Sequence, residues 1–121
     1  MYKEENLKPK YDLEERTFQF AKRVRLYVKK LPKTTANIED GKQIIRASGS
    51  VGANYIEANE ALSDKDFRMR VKISRKEAKE SGYFLRLIYE TNSQEFEKEG
   101  VQLHDEATQL KKIFSTIINK S

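Results

Sequence analysis

Four stretches of the chain repeat apolar residues in steps of four and three, the spacing that gathers side chains on one side of an α-helix. The first holds Leu13, Thr17, Phe20, Val24, Tyr27 and Leu31, widened by Phe18, Ala21 and Val28, and Pro32 stops it. The third holds Phe67, Val71, Ser74, Ala78, Ser81, Leu85 and Ile88, and reaches about Thr91. The last spans about Val101 to Asn119 on Leu103, Ala107, Leu110, Phe114 and Ile117, flanked by Ile113 and Ile118. Residues 1–11 read as a flexible polar lead-in and 12–119 as a single domain. Asp12 is the expected cap of the first helix, one of Thr34, Thr35 and Asn37 that of the second, and Ser63 that of the third. Asn92 to Gly100 reads as an acidic connector. Short turns between amphipathic segments predict an all-α fold, an antiparallel up-down-up-down four-helix bundle.

The second stretch differs from the others. Ile44, Ser48, Val51, Tyr55, Ala58 and Leu62 share one face, and Ile45, Gly49, Gly52 and Ile56 share the face beside it. Only Arg46, Ser50, Asn54 and Glu57 make a polar line. A helix that is apolar or small on most sides expects neighbours on most sides. A glycine inside a helix costs roughly 1 kcal/mol relative to alanine, and close approach of another backbone is the compensation. This helix is therefore expected at the centre, running to about Leu62, with its second face a candidate subunit interface. Gly82 in the third helix reads as a further close-packing position. Phe18, Tyr83, Phe84 and Tyr89 flank the stripes and add weight to an oligomer.

Composition narrows the chemistry. With 121 residues the chain is long enough for one core, and with no cysteine it excludes disulfides and thiolate sites. The polar start and the lack of any long apolar run predict a cytoplasmic protein with no membrane span. His104 is the only histidine, so no catalytic or metal constellation forms around it. Glu57, Glu60, Glu77 and Glu80 offer a carboxylate cluster, for which surface ion pairing with Arg46, Arg70 and Lys76 is the plainer account. The expectation is a protein that is not an enzyme and carries no cofactor or metal.

A formal charge of +5 brings in the basic residues. Between Arg16 and Lys33 no acidic residue interrupts Lys22, Arg23, Arg25, Lys29 and Lys30. Arg16, Arg23 and Lys30 align along the first helix, with Arg25 further round. Arg68, Lys72, Arg75, Lys79 and Arg86 form a ridge on the third. Such ridges either grip phosphates or keep a helix soluble, and charge alone does not choose between the two. No aromatic residue interleaves them in this reading, so backbone recognition rather than base stacking is expected.

The run from Gln43 to Ala58, QIIRASGSVGANYIEA, resembles the central motif of the 23S ribosomal RNA intervening-sequence protein family, also called four-helix-bundle proteins. The run from Arg75 to Leu87, RKEAKESGYFLRL, resembles its third-helix motif, and Leu31-Pro32 matches its first turn. The likeness covers about residues 12–118. It implies a small bacterial bundle assembling as a ring-like homopentamer, with no established reaction. The accessory variability proteins of diversity-generating retroelements, which resemble this family, bind nucleic acid and a reverse transcriptase. Asn54, Glu57, Lys76, Glu77 and Glu80 fall on motif positions. Ala58 stands where glycine often follows the glutamate, and Tyr55 where isoleucine is usual. The function expected is binding of structured RNA or DNA through basic helix faces. The rival is a scaffold module for an acidic or apolar protein partner.

Overall fold

Thr34 and Ser63 set the starts of the second and third helices. Each has extended backbone, and its hydroxyl accepts from the amide three residues on, that of Asn37 and of Asp66. In this computed structural model, which describes the backbone of residues 4–120 and side chains from Leu13 onward, the helices are α1 Glu4–Lys29, α2 Thr35–Asn59, α3 Asp64–Thr91 and α4 Glu97–Lys120. A single 3₁₀ turn, Gln94–Phe96, precedes α4. Asp64 and Asp66 sit in the first turn of α3, where carboxylates meet the positive end of the helix dipole.

Three boundaries differ from the sequence expectation. Residues 1–3 of the expected lead-in lie outside the described residues, and from Glu4 the backbone is already helical. Asp12 is thus inside α1 and does not cap it. Apolar spacing begins only at Leu13, but the Glu, Leu and Lys before it are good helix formers without any stripe. At the end of α2, the amides of Glu60 and Ala61 turn back to the carbonyls of Glu57 and Ala58. The helix stops at Asn59, and Leu62, expected on the core face, is 100% exposed. At the start of α4, the stretch read as a connector contributes its first turn, with Glu97 and Glu99 as favoured first-turn residues.

Consecutive helices pack side by side, and α1 returns to touch α4. Cross-links set the directions. Arg25 reaches the Ile45 carbonyl while Asn59 donates to Glu14, so α1 and α2 run antiparallel. Ser74 donates to the Val51 carbonyl at 2.8 Å while Arg46 meets Glu80, which does the same for α2 and α3. The closed core is the one that the stripes require. Phe20, Val24, Tyr27, Ile44, Val51, Val71, Leu85, Ile88, Leu103, Leu110 and Phe114 are all buried. Burial of such side chains contributes about 1.5–3 kcal/mol each and is the main drive to this arrangement. None of the described helices is long and apolar enough to cross a membrane.

Polar groups close one end of the bundle. Asn37, buried in the first turn of α2, exchanges paired amide hydrogen bonds of 2.8 Å with Asn92 beyond α3. The Tyr27 hydroxyl donates to the Phe96 carbonyl at 2.8 Å. Burial, then the charge of Glu99, then Tyr89, pushes the Tyr27 phenol from 10.0 up to about 12. The folded state therefore holds this proton more tightly than the unfolded state. The associated stability is fully present below pH 10 and is lost as the pH rises towards 12, about 2–3 kcal/mol in all. Tyr27→Phe should be about 1 kcal/mol less stable than the parent at pH 7, having lost a hydrogen bond. It should match or exceed the parent above about pH 11, where it has no proton to lose. Urea unfolding at both pH values reads the crossing.

Candidate nucleic-acid interface

The two basic ridges meet different fates. On α1, Arg16 is held by both oxygens of Glu106 at 2.7 and 2.8 Å and by Gln109 at 2.9 Å. Lys30 lies 2.6 Å from Glu99. Both carboxylates belong to α4, so the stretch from Arg16 to Lys33, free of acids along the sequence, is not free of them in space. The hydrogen bond to Glu106 raises the Arg16 pKa further above its ordinary range, keeping the pair charged. Arg25 donates to the carbonyls of Ala21 at 2.9 Å and Ile45 at 3.2 Å, clasping α1 to α2. Arg23 is half-buried.

The α3 ridge is open. Among the described residues Arg68, Lys72, Arg75 and Lys79 form no ion pair, and Arg75 donates only to the Ser115 hydroxyl, at 3.3 Å. Lys72 and Lys79 are exposed. From Arg68 to Arg86 the ridge runs about 27 Å along the helix. Its far end borders a groove of about 280 Å³ between α3 and α4, lined by Lys79, Gly82, Tyr83, Arg86, His104, Thr108 and Lys111 among others, with no carboxylate in the lining. Arg86 is held by Glu90 one turn on, at 2.8 Å. His104 is half-buried, edge-on to Tyr89 at 6.2 Å.

Tyr83 and Lys111 are absent from the sequence-derived set. Tyr83 follows Lys79 by four and precedes Arg86 by three, a helical spacing that places an aromatic ring inside the ridge after all. It is 61% exposed. Lys111 had no local signal, because α4 brings it to α3 only in the folded chain.

The face expected to meet another subunit is used largely within the chain. A Cβ on Gly52 would lie 2.8 Å from the Thr17 hydroxyl of α1, and one on Gly49 would lie 3.1 Å from the Arg25 guanidinium. These glycines let α1 and α2 of the same molecule approach. Ile45 is half-buried, and Ile56 is exposed. What remains outside is an apolar groove of about 520 Å³ between α1 and α2, edged by Phe18, Leu26 and Ile56.

The motif residues join α2 to α3. Arg46 pairs with Glu77 at 3.5 Å and also with Glu80. Asn54 donates to the Ser50 carbonyl at 2.9 Å and accepts from Arg70 at 3.4 Å. Glu57 and Lys76 are exposed. Among the described residues no three His, Cys, Asp or Glu side chains are grouped to hold a metal ion. Of Glu57, Glu60, Glu77 and Glu80, the two that face α2, Glu77 and Glu80, are engaged by Arg46.

The 23S rRNA-intervening sequence protein family matches the chain over residues 10–116. A crystal structure of a protein with unknown function from the S23 ribosomal protein family of Bacteroides thetaiotaomicron VPI-5482 superposes with a TM-score of 0.73 at 30% identity, covering 88% of this chain and 97% of that one. Among curated proteins none matches. The family match takes in all four helices, including the Arg46–Glu77–Glu80 seam and the α3 ridge, and the chain belongs to the 23S rRNA-intervening sequence protein family.

Proposed function

We propose that this protein is a non-enzymatic, homo-oligomeric bundle of the cytoplasm that binds structured nucleic acid, RNA or DNA, through phosphate contacts. The observation that carries this reading is the asymmetry between the two ridges. Arg16 and Lys30 are spoken for by α4 carboxylates, whereas Arg68, Lys72 and Lys79 stand on one face of α3 without acidic partners. Unpaired cations along a rigid helix suit a polyanion, because each phosphate contact releases condensed counterions. A family named for an insertion in ribosomal RNA is in keeping with an RNA partner. In this reading the copies meet on the apolar groove of α1 and α2, on Ile56 beside Gly49 and Gly52, and on Ile45 further along α2.

Filter binding to a short RNA hairpin at two salt concentrations tests the proposal. Binding should weaken steeply with salt. The double variant Lys72→Gln, Lys79→Gln should lower the log–log salt slope by about 2, close to one unit per phosphate lost. Lys30→Gln should change it little, since that lysine is already paired. No binding at low salt ends the idea. Light scattering with an absorbance ratio on the purified protein reports assembly and co-purified nucleic acid together.

One observation favours a second reading, a scaffold for an acidic or apolar protein partner. Phe18 at 59% and Leu26 at 51% exposure beside Lys22 and Arg25 form an apolar strip with a basic edge. Capture of a partner that survives nuclease and moderate salt distinguishes it.

A further inference from the structure

The α3/α4 groove joins three features that a phosphate ridge alone does not bring together. It has an exposed aromatic face, Tyr83, steadied edge-on by Phe84 with ring centres 5.2 Å apart. It has cations on both walls, Lys79 and Arg86 from α3 and Lys111 from α4. It has polar groups in its lining, the His104 imidazole and the Thr108 hydroxyl, beside Gly82, where a Cβ would meet His104 at 3.6 Å. A continuous duplex presents its bases stacked inside and its phosphates outside, so it has nothing to place against Tyr83. An unpaired nucleotide presents a planar face and two flanking phosphates together.

We propose that this groove is a binding site for a single unpaired nucleotide of the nucleic acid, with its base stacked on Tyr83 and its flanking phosphates held by Lys79 and Lys111. His104 and Thr108 then face the edge of the base or its sugar. Arg86, also in the lining, is already half of an ion pair with Glu90. The assignment rests on the phosphate-binding reading above and adds to it a preference for bulges, loops or single strands over uniform duplex.

The test uses the full chain and two short RNA hairpins, one fully paired and one carrying a single bulged 2-aminopurine. Binding is read by filter retention, and the local environment of the bulge by its fluorescence. The bulged hairpin should bind more tightly, and its fluorescence should change on binding. Tyr83→Leu should weaken binding of the bulged hairpin at least fivefold and abolish that change, while Tyr83→Phe retains both. Tyr83 is mostly exposed, so its replacement leaves the core intact, and circular dichroism verifies this. Equal binding of both hairpins, unaffected by Tyr83→Leu, overturns the nucleotide site and leaves the phosphate reading standing. Failure of both hairpins to bind at low salt overturns the phosphate reading, and the site falls with it.

Discussion

Gly100→Ala should destabilise the bundle by about 2 kcal/mol, lowering Tm by roughly 6–10 °C, although alanine is the better helix former. Gly100 is buried one turn into α4, where that helix starts against α1 and α3. A Cβ there would lie 2.6 Å from both the Tyr27 hydroxyl and the Tyr89 Cβ. Neither can easily yield. The Tyr27 hydroxyl is tied to the Phe96 carbonyl, and a Cβ moves only with its backbone. Strain from overpacking exceeds the roughly 1 kcal/mol that alanine contributes to an exposed helix interior. Gly52→Ala should lose stability for the same reason, since its Cβ would press on the buried Thr17. Gly82→Ala should do the opposite. Its nearest neighbours, His104 and Ala107, would be 3.6 and 3.9 Å away, so the change keeps the propensity gain of up to about 1 kcal/mol. Thermal unfolding of the three variants decides the matter by sign. A Gly100→Ala protein as stable as the parent would show that α4 does not start as tightly as described.

The same three glycines mark how far the sequence could be read. A glycine in a helical pattern announces that something is unusual, but the neighbour that needs the space comes from another part of the chain. Gly82 therefore read as a close-packing position and is not one. Gly100 lies in the stretch read as a connector and is the most tightly enclosed of the five glycines. The stripes were more legible, because a buried face is a local periodic property. Every residue from Leu13 to Leu31 on the first stripe is buried, and so are those from Val71 to Ile88 on the third. Ser63 was legible as a cap because a cap acts three residues away, and Thr34 is the one of three candidates that caps α2. Leu62 failed because the period continues past the point at which the Glu60 and Ala61 amides turn the chain out.

Charge was the least legible property. Arg16 and Glu106 are 90 positions apart, and Lys30 and Glu99 are 69 apart. No window of sequence holds both members of either pair. Two cations of the α1 ridge, Arg16 and Lys30, gain carboxylate partners from α4, whereas among the described cations of the α3 ridge only Arg86 is paired, and with its own helix. Tyr83 was legible in principle from its spacing to Lys79 and Arg86. The same spacing also suits an aromatic residue at a subunit contact, and local sequence does not separate the two.

Arg46→Ala should cost about 2 kcal/mol and expose the role of the family motif. Glu77 is buried at the α2–α3 contact, its side chain 10% exposed, and one of its carboxylate oxygens has no hydrogen bond. The nearby Arg46 guanidinium supplies the countercharge, and it also meets Glu80. Breaking a fully buried pair typically costs 3–5 kcal/mol, because the remaining charge stays in a poor solvent. Here the Arg46 side chain is 51% exposed, so water screens part of that penalty and the lower figure applies. Removing both charges should be much less harmful than removing Arg46 alone. The double variant Arg46→Met, Glu77→Leu should unfold within about 1 kcal/mol of the parent, since a packed apolar pair replaces an ion pair at little net cost. A double-mutant cycle by urea unfolding measures the coupling. Nucleic-acid binding by the folded double variant should match the parent, because the seam lies on α2–α3 and not on the open ridge. If Arg46→Ala were harmless to stability while binding was lost, the motif would belong to the recognition surface instead of the scaffold.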